Sequence, residues 1–195
     1  MKSIIVITAI FFIASACGGH QYENPHLEID TQYGVIELEL YPKQAPKTVA
    51  AFLSYVDSGL YKNSSFYRVL NEDNQPMGAT ETRLIQGGIW ASDSKRADKL
   101  PGIPHETTRQ TGLTHKDGTL SLARQAPGTG NTEFFICVDD QPGFDYGGSN
   151  NGDGQGYAAF GKVVKGMDIV RKILAKPTNG ELFGTPIVIR NIEKL

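Results

Sequence analysis

Leu27 and Ile29 alternate with Glu28 and Asp30, and after a turn at Tyr33-Gly34 the same pattern resumes, Ile36, Leu38 and Leu40 against Glu37 and Glu39. Side chains two apart share one face of a strand, so this segment reads as a hairpin with one dry face. Pro46 then opens a stretch in which Val49, Phe52, Leu53 and Val56 recur at i, i+3, i+4 and i+7, with Gly59 placed as a C-terminal cap. That is an amphipathic helix with one core face. A second helix is predicted across residues 166–175, with Met167, Val170, Ile173 and Leu174 on one side. Short apolar runs at 66–69, 84–86, 119–123, 133–138, 158–163 and 187–192 complete a set of eight strands. Many short strands with only two helices predict a mainly β fold, a closed eight-stranded antiparallel barrel whose ends the two helices cap. Two longer polar segments, 71–82 and 146–156, are predicted surface loops.

The first residues follow a different pattern. Lys2 precedes an apolar run over residues 4–13 interrupted only by Thr8, and Ala14-Ser15-Ala16 supplies small residues for cleavage. The run is too short for a stable membrane-spanning helix, and residues 1–16 read as a signal peptide. Cys17 follows at once. A cysteine at the first mature position marks a bacterial lipoprotein whose thiol is acylated, so Cys17 is the expected lipidation site. Residues 17–26 then form a lipidated tether ending in Asn24-Pro25, and 27–195 the globular domain. The expected location is the bacterial cell envelope, lipid-anchored and facing the periplasm.

Charge narrows the choice of partners. With 19 Lys+Arg against 21 Asp+Glu, a net charge of −2 and no basic run, the chain lacks the electrostatic footprint of a nucleic-acid binder. Its length suits one domain, expected to be monomeric. Cys137 lies inside an apolar run and reads as a small buried residue, so no structural disulfide is expected. His105-Glu106 begins a zinc-protease pattern, but Arg109 stands where the second histidine is required. Residues 149–154 resemble the start of a calcium loop, yet its twelfth position is Phe160 in place of a bidentate glutamate. No metal and no cofactor are expected.

Three segments carry the chemistry: Ser65-Phe66-Tyr67-Arg68-Val69, Leu84-Ile85-Gln86-Gly87-Gly88 and Thr132-Glu133-Phe134-Phe135-Ile136-Cys137. In this order they resemble the cyclophilins, prolyl isomerases that read F-H-R, M-x-Q-G-G and S-Q-F-F-I. The resemblance continues through residues 118–124 and 160–168 and spans roughly 27 to 195 in colinear order. It implies isomerisation of X-Pro bonds in proline-containing polypeptides, without a cofactor. Such rotation faces a barrier of about 20 kcal/mol because amide resonance must be broken. A donor aimed at the proline nitrogen binds the twisted amide better than either planar form, since only then does that nitrogen hold a lone pair. An always-protonated arginine suits the task.

By resemblance, Arg68 is the catalytic arginine and Gln86 the glutamine that bonds the substrate backbone and helps hold it. Phe135 is the floor of the proline pocket, Leu84 and Phe144 are its walls, and Tyr157 stands where many members have histidine. Ala123 and Arg124 match the strand edge that pairs with an extended peptide. Phe134 reads as core. Four departures stand out: Tyr67 for histidine, Arg83 for a pocket phenylalanine, Glu133 for glutamine, and Gly143 for the aromatic that contacts cyclosporin. Glu133, still counted among the substrate-binding positions, is expected to pair with Arg68 and compete with substrate, or with Arg83, leaving Arg68 free. Trp90, the one tryptophan, is a possible distant substitute for the aromatic at 143. The alternative to an enzyme is a peptide-binding holdase module in which Glu133 and Arg83 reshape the pocket and turnover is vestigial.

Overall fold

The computed structural model describes residues 22–78 and 81–195. The hairpin appears as β1 (His26–Thr31) and β2 (Gly34–Leu40), followed by α1 (Pro46–Asp57), β3 (Ser64–Leu70) and β4 (Leu84–Gly88). Then come α2 (Trp90–Ala97), α3 (Thr108–Thr111), β5 (Thr119–Leu122), β6 (Phe134–Cys137) and a 3-10 turn at Pro142–Phe144. The chain ends with β7 (Ala158–Lys165), α4 (Met167–Leu174), β8 (Thr178–Asn179) and β9 (Leu182–Lys194).

All pairings are antiparallel, in the order β1-β2-β7-β5-β6-β4-β3-β9, and β9 pairs back onto β1, which closes an eight-stranded barrel. The two-residue β8 is a spur that forms a hairpin with the start of β9. The predicted barrel and both capping helices are present. Two short helices join them: α2, poor in apolar positions and kinked at Asp93, and α3, a single turn closed by a Thr107/Gln110 capping box.

The domain begins slightly earlier than its periodicity suggested. His26 opens β1 with its Nδ1 2.9 Å from Glu37 Oε1, Asn24 donates to Glu39 Oε1, and Leu40 N–H donates to Pro25 O. The stretch expected as the end of the tether is thus bonded to the barrel wall. Residues 1–21, with the signal peptide and Cys17, lie outside the described residues.

Period-2 alternation sorts the side chains. Phe134 and Ile136 of β6 and Ile85 of β4 enter the main core, where Phe134 meets Phe52 and Tyr61 edge-on at ring distances of 5.5 and 5.7 Å. Phe135 and Cys137 of β6 and Leu84 of β4 face outward and form a second cluster with Phe144. The barrel is therefore solid inside, and its chemistry is confined to the outer face. One irregularity matters. Both pairings of β3 shift register between Phe66 and Arg68, so Phe66 and Val69 stay in the core while Tyr67 and Arg68 both turn out.

Candidate active site

The outer face of β3, β4 and β6, with the segment that follows β5, lines a groove of about 1090 Å³. Its floor is aromatic. Phe135 packs on Phe144 and Tyr157 at ring distances of 5.3 Å each, and Leu84, Ala123 and Leu70 complete the apolar surface. Arg68 and Gln86, register partners on β3 and β4, stand beside this floor with Arg68 Nη1 donating to Gln86 Oε1 at 2.8 Å. Leu84, Gln86, Phe135, Phe144, Ala123, Arg124, Glu133, Tyr157 and Arg68 all line the one groove, so the residues predicted for the site come together.

Glu133 does not pair as expected. Its carboxylate accepts from Tyr67 OH (2.7 Å), Trp90 N–H (3.0 Å) and Thr132 Oγ1 (3.0 Å), and neither Arg68 nor Arg83 is among its partners. Burial holds this carboxyl above its usual range, offset in part by these donors, while burial and the adjacent Glu133 charge hold Tyr67 well above the phenol range. The phenol therefore stays protonated and donates. Tyr67 and Glu133 form a complementary donor–acceptor pair, and Gln86 Nε2 donates to Tyr67 OH, joining the pair to Arg68. Gly88, at φ +150°, is needed because a Cβ there would collide with the Glu133 carboxylate.

Arg83 does not enter the groove. It reaches Glu72, Asp139 and Glu81, and so clamps the 71–82 segment to the turn after β6. Gly143 has its Cβ direction filled by Asn150, whose Oδ1 would lie 2.6 Å away and whose amide donates to Thr82 Oγ1. Trp90, the candidate for a distant substitute, also lines the groove. It stacks obliquely on Tyr67 at 5.9 Å, beside Glu133. The Arg124 guanidinium is buried, donating to Gly156 O and, in fork fashion, to Asp153, so only its backbone can serve the peptide edge.

Sequence reasoning missed two sets of residues. Glu181, in the β8–β9 turn, accepts from Arg68 Nε (2.9 Å) and Nη2 (2.7 Å) across 113 residues of chain. The Asn179-Gly180 pair, a hairpin signal, was the only hint of this turn. Beneath the floor, buried His115 places Nδ1 2.7 Å from Asp145 Oδ1 and Nε2 2.9 Å from Ser121 Oγ, with its ring stacked on Phe135 at 6.1 Å. Ser121 is fully buried, so this Ser-His-Asp set props the pocket and has no access to a substrate.

Residues 26–194 match the sequence pattern described as cyclophilin type peptidyl-prolyl cis-trans isomerase/CLD. The chain belongs to the cyclophilin family. Among curated relatives, this cyclophilin is 35% identical over 180 residues to a peptidyl-prolyl cis-trans isomerase of Acinetobacter baylyi, covering 92% of this chain and 85% of the relative. It is 36% identical over 144 residues to peptidyl-prolyl cis-trans isomerase B of Escherichia coli, covering 73% and 80%. The same barrel is seen in a cyclophilin type isomerase of Cryptosporidium parvum, with TM-score 0.69 at 24% identity over 88% of this chain and 98% of that one. That protein was also solved in the presence of the dipeptide Ala-Pro, with TM-score 0.68. Among the described residues no cluster of side chains suited to a metal ion occurs. Cys137 is buried and unpaired, with burial raising its thiol well above the usual range.

Proposed function

We propose that this cyclophilin isomerises X-Pro bonds of secreted or envelope polypeptides, with Arg68 as donor to the proline nitrogen, while Cys17 carries the lipid that anchors it. The observation that carries the catalytic reading is the juxtaposition of the Arg68–Gln86 pair with the Phe135 floor in one groove. In this reading the proline ring rests on Phe135 between Leu84, Phe144 and Tyr157, and the peptide runs extended along the backbone at Ala123 and Arg124. Gln86 bonds the peptide backbone and fixes one terminal nitrogen of Arg68. As the amide twists, its nitrogen pyramidalises and gains a lone pair, and the guanidinium meets that lone pair with a charged donor. No bond is made or broken, so no nucleophile is required.

The Ala-Pro dipeptide used with the Cryptosporidium relative supports a proline-containing ligand for this groove. The holdase alternative drew on Glu133 and Arg83 as residues that reshape the pocket. Glu133 engages Tyr67 and Arg83 faces away, which favours turnover. Arg68→Ala is expected to lower the isomerisation rate of an X-Pro peptide by about 10²–10³ with circular dichroism unchanged, and Arg68→Lys to be poor as well because a point charge lacks the fork. Parent-level exchange in Arg68→Ala, followed by NMR, refutes the assignment.

The anchoring reading rests on Cys17 after Ala14-Ser15-Ala16 and on a short polar segment between it and β1. No helix among the described residues is long and apolar enough to cross a membrane. A single acyl chain gives only marginal binding, so several acyl groups on Cys17 are expected by mass spectrometry of native membranes, and Cys17→Ala should release the domain. An unmodified Cys17 N-terminus overturns it.

A further inference from the structure

Arg68 leaves a strand at its bulge and carries a long side chain that is about one-third exposed (32%). Free guanidinium groups of this kind sample many rotamers, and catalysis by a directed donor requires one. Gln86 fixes a single N–H, which leaves the plane of the group free to swing about that bond. The second constraint comes from Glu181, whose Oε2 accepts from both Nε and Nη2 on the opposite edge. Of the five donors of an arginine, the remaining two sit one on each terminal nitrogen.

The carboxylate is itself held in place. Glu181 closes a two-residue loop between β8 and β9 whose first residue, Gly180, has φ +58°, a backbone suited to glycine in a tight hairpin. Val69 N–H donates to Glu181 O at 2.8 Å, Asn74 donates its side-chain amide to both Gly180 O and Val69 O, and Leu182 is the register partner of Arg68. The turn is thus sewn to the strand that bears the arginine.

We propose that Glu181 is a positioning residue for the isomerase reaction: it fixes the plane of the Arg68 guanidinium so that the remaining N–H groups face the proline nitrogen. The proposal rests on Arg68 being the donor. It touches no substrate atom and acts only through Arg68, so its effect belongs in kcat and leaves peptide affinity nearly intact. The Coulombic worth of a half-exposed pair is small and screened, and orientation is the larger consequence.

The experiment measures kcat and peptide Kd by NMR exchange for the parent, Glu181→Ala, Glu181→Gln, Arg68→Ala and the double variant Glu181→Ala/Arg68→Ala. Expected are a loss in kcat of about threefold to thirtyfold for Glu181→Ala with Kd within about twofold, and recovery of most of that loss in Glu181→Gln, which keeps an acceptor. In the Arg68→Ala background, Glu181→Ala should cost nothing further, whereas a merely structural role would cost the same in both backgrounds. If Arg68→Ala is impaired and Glu181→Ala keeps or exceeds the parent kcat, the positioning role is overturned. If Arg68→Ala itself is unimpaired, the donor assignment fails and this role falls with it.

Discussion

At the scale of single residues, Glu133 and Tyr67 act as one unit. A glutamate in place of the family's glutamine accepts three hydrogen bonds and donates none, and each of its partners, Tyr67 OH, Trp90 N–H and Thr132 Oγ1, is a donor. Glu133→Gln would turn an amide NH₂ toward one of them. The expected cost is about 1–2 kcal/mol of stability, with no gain in turnover because Arg68 is not released by the change. Burial raises the Glu133 pKa above its ordinary 4.5, so the folded state binds this proton more readily than the unfolded chain and the residue's contribution to stability grows as pH falls from neutral toward that value. Urea melts at neutral and mildly acid pH should show the parent's advantage over Glu133→Gln widening on acidification. A margin that narrows would mean that the three donors outweigh burial.

At the scale of elements, the two long segments are tied to the site. Arg83 clamps 71–82, the buried Arg124 clamps 146–156 through Asp153 and Gly156, and Asn150 bonds Thr82 between them. The response to cyclosporin is expected to follow from this arrangement. The parent is expected to bind the drug poorly, and Gly143→Trp alone should not help, since its Cβ would meet Asn150 Oδ1 at 2.6 Å. Calorimetric titration should find no gain in affinity for Gly143→Trp and a stability loss of about 1–3 kcal/mol from overpacking; tight drug binding at parent stability would show that the loop yields freely. The 3-10 turn and the β5 approach are joined by His115, which bonds Asp145 and Ser121 beneath Phe135. His115→Ala leaves the buried Ser121 hydroxyl without this partner and removes the ring packed against Phe135, and chemical denaturation should report a loss of about 1–3 kcal/mol.

For the whole molecule, closure of the barrel depends on β9, which pairs with β3 at one end and β1 at the other. Deleting residues 190–195 removes the partners of Leu27 to Asp30 and the buried Ile192, and opens the seam. Cooperative unfolding should be lost or its midpoint should fall sharply, since exposed strand edges and core face water together; an unchanged urea midpoint would show that the seam carries no stability. Much of this architecture is legible in the chain itself. Alternation at 27–40 and the helical spacing at 49–56 report which face of each element is dry, and Arg68, Gln86 and Phe135 announce themselves because each sits in a short motif on one strand. α2 was not legible, because it has few apolar positions and a kink at Asp93. The partners of the charged groups were not legible either. Glu133 was expected to meet Arg68 or Arg83, yet the β3 bulge brings Tyr67 to it, and Glu181 reaches Arg68 from 113 residues away. Periodicity and motif determine which residues share a face, because they depend on local backbone geometry and hydrophobic burial. Which carboxylate meets which donor is decided only when the closed barrel sets the register, the bulge and the turn that bring distant segments within hydrogen-bond reach.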